Sequence, residues 1–214
     1  MGTTHAPLLS PGDRLSVDEF IDRWYQLPEL KFAELIDGVV YMPPPMVPQA
    51  RAHANNTICL LLALYAARTP GTAGFSNGTW LMTESNVPQP DCGLRIRPEC
   101  GGRSSVRREF AAGAPELITE ICDDRSAYDL GPKLALYIVD ERRFEWRALQ
   151  QGSYQILEPD SGIYRSLIFP GLWIDEAGFW KGDSDTLLHT LDQGPASQEH
   201  SEFAARLAQQ KRPV

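Results

Sequence analysis

The sequence has few lysines and no excess of positive charge. Four of its 20 basic residues are lysines, so any catalytic lysine must be one of Lys31, Lys133, Lys181 and Lys211. The 214 residues carry a formal net charge of −8 at pH 7. A protein that coats DNA irrespective of sequence shows a basic face, and this charge balance argues against that class. It stays compatible with an enzyme that contacts a phosphodiester through a metal ion.

Long apolar runs and paired cysteines are also missing. The longest apolar run covers residues 58–67, which is well short of the roughly 18 residues of a membrane-spanning helix. We therefore expect no membrane partner. The four cysteines form no CxxC pair and no secretory signal precedes them, which predicts a reduced, cytoplasmic protein with idle thiols.

Local signals alternate between helix and strand. Ser16 and Glu19 form a capping box, which predicts a helix over residues 17–26. Asp37-Gly38 between two β-prone runs predicts a tight hairpin. A long helix, buried on most sides, is predicted over 49–68, and shorter helices are predicted over 130–137 and 201–210, the last one exposed. Strands are predicted over 73–82, 91–97, 116–122, 138–149, 153–158 and 163–168, with a loop at 98–114. This order predicts an α/β domain with mixed strands rather than a doubly wound sheet.

Three carboxylates fall within or at the start of predicted strands, namely Glu34, Asp91 and Glu120. Strand alternation places Glu120 on the same face as Ile118 and Cys122, which is a largely apolar face. A buried carboxylate needs compensation for its lost solvation, and a divalent metal is one compensation. The pattern alone leaves two readings open. The acids hold a metal such as Mg²⁺, or they face solvent and pair locally, as Glu34 could in its hairpin.

Six short motifs follow one another in the order that is typical of a known nuclease family. They are Glu34-Leu35-Ile36-Asp37-Gly38, then His53, Gln89-Pro90-Asp91, the strand from Pro115 to Glu120, Asp129 with Lys133 and Tyr137, and Pro170-Gly171-Leu172. Through this ordered set, residues 15–178 resemble the PD-(D/E)XK nuclease superfamily. Within that superfamily, they resemble the bacterial domain family called "putative restriction endonuclease".

The resemblance implies both a fold and a reaction. The fold would be α/β (α+β): a restriction-endonuclease-like mixed β-sheet flanked by helices, with additional antiparallel strands. Asp91 and Glu120 would bind Mg²⁺ or Mn²⁺, and Glu34 would be a further ligand or would orient a metal-bound water. Lys133 would complete the catalytic set. The reaction would be hydrolysis of nucleic-acid phosphodiester bonds, with DNA as the expected substrate.

The same resemblance suggests how the chain is divided. We expect a flexible segment at 1–14, the nuclease-like domain at 15–178, and a polar tail with a short helix at 179–214. A homodimer is the expected assembly.

Two departures from the family pattern keep other functions open. The lysine of the motif should lie two residues after Glu120, and that position is Cys122. About ten residues that the family has after the helix are missing behind Tyr137. A catalytically degenerate fold that serves as a nucleic-acid-binding or regulatory module is therefore the alternative, and an assembly protein is a third reading.

Positive charge is available in one predicted loop. Arg103, Arg107 and Arg108 lie close together there and could contact phosphate, since guanidinium binds phosphate through two hydrogen bonds. A solvated loop is the other reading. His53 is a peripheral candidate for the site, and a structural role is equally open to it.

Overall fold

The protein is described here from a computed structural model that covers residues 9–42, 48–122, 136–139, 143–150 and 153–212. These residues form two compact units. Unit 1 contains residues 9–42, 78–89 and 105–114. Unit 2 contains residues 48–77, 90–104 and the described chain after residue 114.

The secondary structure within these ranges is mixed α/β, as predicted. The helices are α1 (Val17–Trp24), α2 (Gln49–Arg68), α3 (Glu176–Lys181), α4 (Ser184–Gln193) and α5 (Gln198–Gln210). The strands are β1 (Glu34–Ile36), β2 (Val39–Tyr41), β3 (Thr72–Ser76), β4 (Trp80–Leu81), β5 (Cys92–Ile96), β6 (Ser105–Arg107), β7 (Phe110–Ala112), β8 (Leu117–Cys122), β9 (Leu136–Val139), β10 (Arg143–Gln150), β11 (Ser153–Leu157), β12 (Ile163–Arg165) and β13 (Trp173–Asp175). In the described parts of the chain, every helix is too short or too polar to cross a membrane.

Unit 1 is organised by the local signals that its sequence contains. The Ser16 hydroxyl accepts the Glu19 N–H, and the Glu19 carboxylate accepts the Ser16 N–H, so the predicted capping box is confirmed. β1 and β2 pair through a two-residue turn in which Asp37 has φ 50° and Gly38 has φ 75°. Both residues of this turn therefore adopt the left-handed region, as a tight hairpin requires.

Two predicted segments are arranged differently in the structure. The predicted strand 73–82 is broken at Asn77, which has φ 48°. As a result β3 belongs to unit 2 and β4 to unit 1. The predicted loop 98–114 contains a 3₁₀ turn and an antiparallel hairpin of β6 and β7, and β7 also pairs with β4. Short strands with polar residues are hard to distinguish from loops by periodicity.

Unit 2 is built on a six-stranded sheet in the order β11-β10-β9-β8-β5-β3. Neighbouring strands are antiparallel except β8 and β9, which are parallel. α2 packs against β3, β5 and β8, and its buried face includes Ile58, Leu62 and Tyr65. Its bounds agree with the prediction, but Leu60 is 52% exposed, so the helix is buried on one face rather than on most sides.

The predicted helix at 130–137 is only partly testable. Residues 130–135 lie outside the described residues, whereas Leu136 and Tyr137 begin β9. The end of the prediction is therefore wrong. β-branched and aromatic residues follow this point, and pairing with β8 and β10 outweighs local helix propensity there.

The C-terminal segment packs into the core of unit 2. Helices α3, α4 and α5 contribute Phe179, Leu191, Phe203 and Leu207 to the same buried cluster as α2. This differs from the exposed terminal helix that we predicted. The polar composition of the segment conceals a narrow apolar stripe, since Phe203 and Leu207 lie four residues apart on one face of α5.

The Pro170-Gly171-Leu172 turn lies between β12 and β13, which form a separate two-stranded sheet. The Tyr65 hydroxyl donates to the Pro170 carbonyl over 2.8 Å. Gly171 has φ 84°, and a Cβ at this position would lie 2.8 Å from the Gly194 carbonyl oxygen. The turn therefore requires glycine both for its backbone conformation and for the close approach of the second chain segment.

We expect Gly171→Ala to lower the free energy of unfolding by about 2–4 kcal/mol, because backbone strain and a steric clash act together. Gly162→Ala is the matched control, since Gly162 has φ 79° but open space around its Cβ position. That variant should lose about 1 kcal/mol from strain alone. Urea denaturation measures both values, and equal losses would contradict the close approach.

His200 is buried where α5 packs on α2. Its Nε2 atom lies 2.9 Å from the Thr69 hydroxyl oxygen, and its ring meets the Tyr65 ring edge-on. Burial lowers the pKa of His200, although a hydrogen bond with the Pro195 backbone opposes the shift. The folded state therefore favours the neutral imidazole.

Since the pKa of His200 is lower in the folded state, the unfolded state binds its proton first as pH falls below about 6.5. Stability from this group is complete above that pH and is lost on acidification. We expect His200→Gln, which can still hydrogen-bond Thr69, to lose less stability than the wild type between about pH 8 and about pH 5. His189→Gln, an exposed histidine of α4, is the control. Identical pH profiles for the wild type and His200→Gln would contradict the burial effect.

Candidate active site

Two of the predicted acids lie beside the last residue pair of neighbouring strands of unit 2. β5 and β8 pair antiparallel, and Cys92 is opposite Thr119 in the pair nearest to the acids. Asp91 precedes Cys92 and Glu120 follows Thr119, so continuing this register by one residue would place the two acids opposite each other. Facing residues point to the same side of a sheet and have Cβ atoms roughly 4.5–5.5 Å apart.

The Asp91 carboxylate is held by its surroundings. Its Oδ2 atom accepts the Ile121 N–H over 2.8 Å, so the side chain is fixed to the backbone of β8. The Arg51 Nη2 atom, in the first turn of α2, lies 3.9 Å from the same oxygen, and the Asp91 side chain is 18% exposed. Asp91 is therefore oriented, close to a cation, and accessible to a small ligand.

Glu120 occupies an interior strand of the sheet. β8 lies between β5 and β9, and Glu120 is 3% exposed. This agrees with the alternation argument, which placed its side chain on an apolar face. A carboxylate at such a depth is costly to desolvate and is kept where a compensating group or a function requires it.

Glu34 lies in the other unit. It is 3% exposed in unit 1, and its Oε1 atom accepts the Gln89 N–H over 2.5 Å. Within unit 1 it therefore connects β1 to the segment 78–89. This partner lies outside the β1–β2 hairpin, so the hydrogen bond is not the pairing within the hairpin that the sequence left open. The role of Glu34 as a metal ligand stays a prediction.

The remaining predicted residues are more scattered. His53 lies on α2, close to Gly182 at the end of α3: a Cβ built at Gly182 would be 3.9 Å from the His53 Nε2 atom. Lys133 and Asp129 lie outside the described residues. Cys122 is the last residue of β8.

The three arginines pair with acids in their own units. Arg103 lies in unit 2 with its Nε atom 3.6 Å from Glu116 Oε1. Arg107 and Arg108 belong to the β6–β7 hairpin of unit 1 and contact carboxylates of α1 and Glu84. All three side chains are exposed, and the prediction that they contact phosphate stays open.

Arg51 is a site residue that the sequence did not reveal. The predicted bounds of α2 put it in the first turn, but nothing in the sequence connects that turn to Asp91. The contact arises from the packing of α2 on β5 and β8. Arg51 could have been proposed as a neighbour of Asp91 only once the packing of α2 on the sheet was known.

The donor chemistry of Asp91 and Glu120 fits a hard cation. Mg²⁺ in nucleotide-processing sites is often bound by one or two carboxylates, with water and substrate oxygens completing its coordination. Nowhere in the described ranges are three or more His, Cys, Asp or Glu side chains placed to hold a metal ion. Asp91 and Glu120 are the two carboxylates of unit 2 that would bind a metal at this position, and water and substrate would add further oxygens.

Comparison with known proteins identifies a family and a structural neighbour of the chain. Residues 17–177 match the Uma2 family, described as "Putative restriction endonuclease". The solved structure of "a putative nuclease belonging to DUF820" from Anabaena variabilis ATCC 29413 is similar, with a TM-score of 0.54 and 16% sequence identity. The likeness covers 75% of this chain and 97% of that chain, and at this identity it shows the fold. No curated protein matches the chain.

We expect Glu34→Ala to lower the free energy of unfolding by about 1–3 kcal/mol, because the buried Gln89 N–H loses its acceptor. Glu34→Gln keeps an acceptor oxygen and should lose less. Glu84→Ala is the control in the same unit, since the Glu84 side chain is 96% exposed, and it should change stability by less than about 0.5 kcal/mol. Urea denaturation measures these free energies of unfolding. If Glu34→Ala lowers stability by no more than the control does, the hydrogen bond between Gln89 and Glu34 contributes nothing to stability.

Proposed function

Because the chain belongs to the Uma2 family, we propose that it is a metal-dependent endonuclease that hydrolyses phosphodiester bonds of nucleic acid, with DNA as the favoured substrate. The observation that carries the proposal is the pairing of Cys92 with Thr119 between β5 and β8, because Asp91 and Glu120 are the residues next to this pair. One or two carboxylates, with water and substrate oxygens, are the usual ligands of Mg²⁺ in such a site.

The protein groups around Asp91 have definable tasks. The Ile121 N–H orients the carboxylate that would bind a metal. A divalent metal bound there would lower the pKa of a water and stabilise charge on the phosphoryl oxygens. Glu120 would supply the second oxygen ligand from a buried position. Glu34 keeps its proposed role as a further ligand or as the residue that orients water.

A cation is also needed beside the phosphoryl group. The family motif gives this role to a lysine, and Cys122 occupies that position. Arg51 is the described cation closest to this role, since its guanidinium lies 3.9 Å from Asp91 Oδ2. A guanidinium can neutralise charge that develops on phosphoryl oxygens. Lys133 stays a second candidate for the same role.

Contacts farther along the substrate are proposed for Arg103, Arg107 and Arg108. Their ion pairs are exposed, and exposed pairs contribute only about 0–1 kcal/mol each. A phosphate can therefore replace the carboxylate partners at low cost. Binding through these residues would be weakened by salt.

The alternative function is a catalytically degenerate module that binds nucleic acid. The substitution of the motif lysine by Cys122 favours it. This alternative requires salt-sensitive binding without hydrolysis. A cytoplasmic location and a homodimer stay part of the proposal, and the oligomeric state can be measured by light scattering across concentrations.

We expect the wild-type protein to cleave labelled DNA or RNA when Mg²⁺ or Mn²⁺ is added, and not in EDTA. Asp91→Asn and Glu120→Gln should each reduce the rate by about 100-fold or more, because each removes a charged oxygen ligand. Glu202→Gln is the control, because it removes the same charge at an exposed position of α5, and its rate should stay within about twofold of the wild type.

Calorimetric titration with Mn²⁺ provides a readout that does not depend on turnover. The wild type should bind the metal, and the Asp91→Asn, Glu120→Gln double variant should not. A wild-type protein that binds no divalent metal and cleaves neither DNA nor RNA would contradict the proposal. Salt-sensitive binding in that case would establish the degenerate module.

A further inference from the structure

Unit 2 contains a cavity with a basic wall. It has a volume of about 340 Å³ and lies between the beginning of α2 and the end of α3. Arg51, His53 and Lys181 line it, and the described lining residues include no acid. The cavity wall is therefore basic in a chain whose net charge is −8.

The beginning of α2 adds to the positive potential. The helix has 20 residues and starts after Pro48, which offers no side-chain cap, and its first turn contains no acidic residue. Ala50 and Arg51 of that turn line the cavity. The first amides of a helix lack partners within the helix, and the helix dipole is positive at this end. Both properties favour an anion.

The cavity adjoins the proposed hydrolytic site. Ile121 lines it, and the Ile121 N–H is the group that Asp91 accepts. Arg51 lines it as well, while its guanidinium also faces Asp91. A ligand in the cavity would thus lie next to Arg51 and to the β8 backbone at Ile121, both of which contact Asp91.

We propose that this cavity binds a phosphate group of the substrate strand, next to the phosphodiester that is cleaved, through Arg51, His53 and Lys181. The aromatic rings of Phe179 and Trp180 form the apolar part of the wall, against which the attached sugar packs. The volume lies at the lower end of the roughly 300–1,000 Å³ of ligand sites, which suits one nucleotide unit rather than a duplex. The inference rests on the proposed function, because it takes the ligand to be that enzyme's substrate.

The test measures binding without turnover. A labelled single-stranded oligonucleotide is titrated with protein in Ca²⁺, in place of Mg²⁺, over a series of NaCl concentrations, and fluorescence anisotropy gives the association constant. For Lys181→Met we expect affinity to fall roughly 3- to 10-fold at the lowest salt. The slope of log K against log salt should become shallower by about 0.7, the value for one phosphate contact on a single strand.

Lys211→Met is the matched control, because Lys211 is an exposed lysine beyond α5 and the change in charge is the same. It should leave the slope unaltered. Arg51→Met should act in the same direction as Lys181→Met. Thermal unfolding of each variant establishes that the fold is retained.

The outcomes separate this inference from the proposed enzyme. If Lys181→Met matches Lys211→Met in slope and affinity, or if the wild type binds no oligonucleotide, the phosphate site is overturned, even where the cleavage assay shows an active nuclease. If Lys181→Met flattens the slope while the wild type never cleaves, the phosphate site stands and the hydrolytic function falls.

Discussion

The antiparallel pairing of β5 with β8 is the constraint on which the proposed site depends. It pairs Cys92 with Thr119, so Asp91 and Glu120 are the next residues beyond this pair, and the Ile121 N–H holds the Asp91 carboxylate in place. A slip of one residue would turn Glu120 to the other face of the sheet and separate the pair. The packing of α2 on the same strands adds Arg51 to the acids, so one strand pair positions two ligands and a cation.

Local chemistry explains which parts of the fold could be predicted from the sequence. The capping box at Ser16, the turn at Asp37-Gly38 and the bounds of α2 depend on neighbouring residues, and the structure agrees with each. The alternation of β8 also predicted that Glu120 faces inward. Arg51 and Lys181 could not be found in this way, since their positions depend on how distant helices pack. The break at Asn77 and the burial of the C-terminal helices could not be predicted for the same reason.

Charge is distributed unevenly over this acidic protein. The exposed arginines of the β6–β7 hairpin pair with nearby carboxylates, and this pairing weakens their electrostatic attraction for distant anions. The wall of the unit 2 cavity has cations and no described acid. Long-range attraction of nucleic acid should therefore be weak, and recognition should depend on contacts made within a few ångströms, where screening by salt is less complete.

α2 extends from the candidate site to the Pro170 turn. At about 1.5 Å per residue its 20 residues span about 30 Å, with Arg51 near its beginning and the Tyr65 hydroxyl bound to Pro170 near its end. The apolar stripe of α2 is covered in part by α3, α4 and α5. A fragment that ends near residue 178 would expose the part of this stripe that the C-terminal helices cover, and it would tend to self-associate during expression. The full C-terminal segment therefore belongs in any preparation intended for biochemical assays.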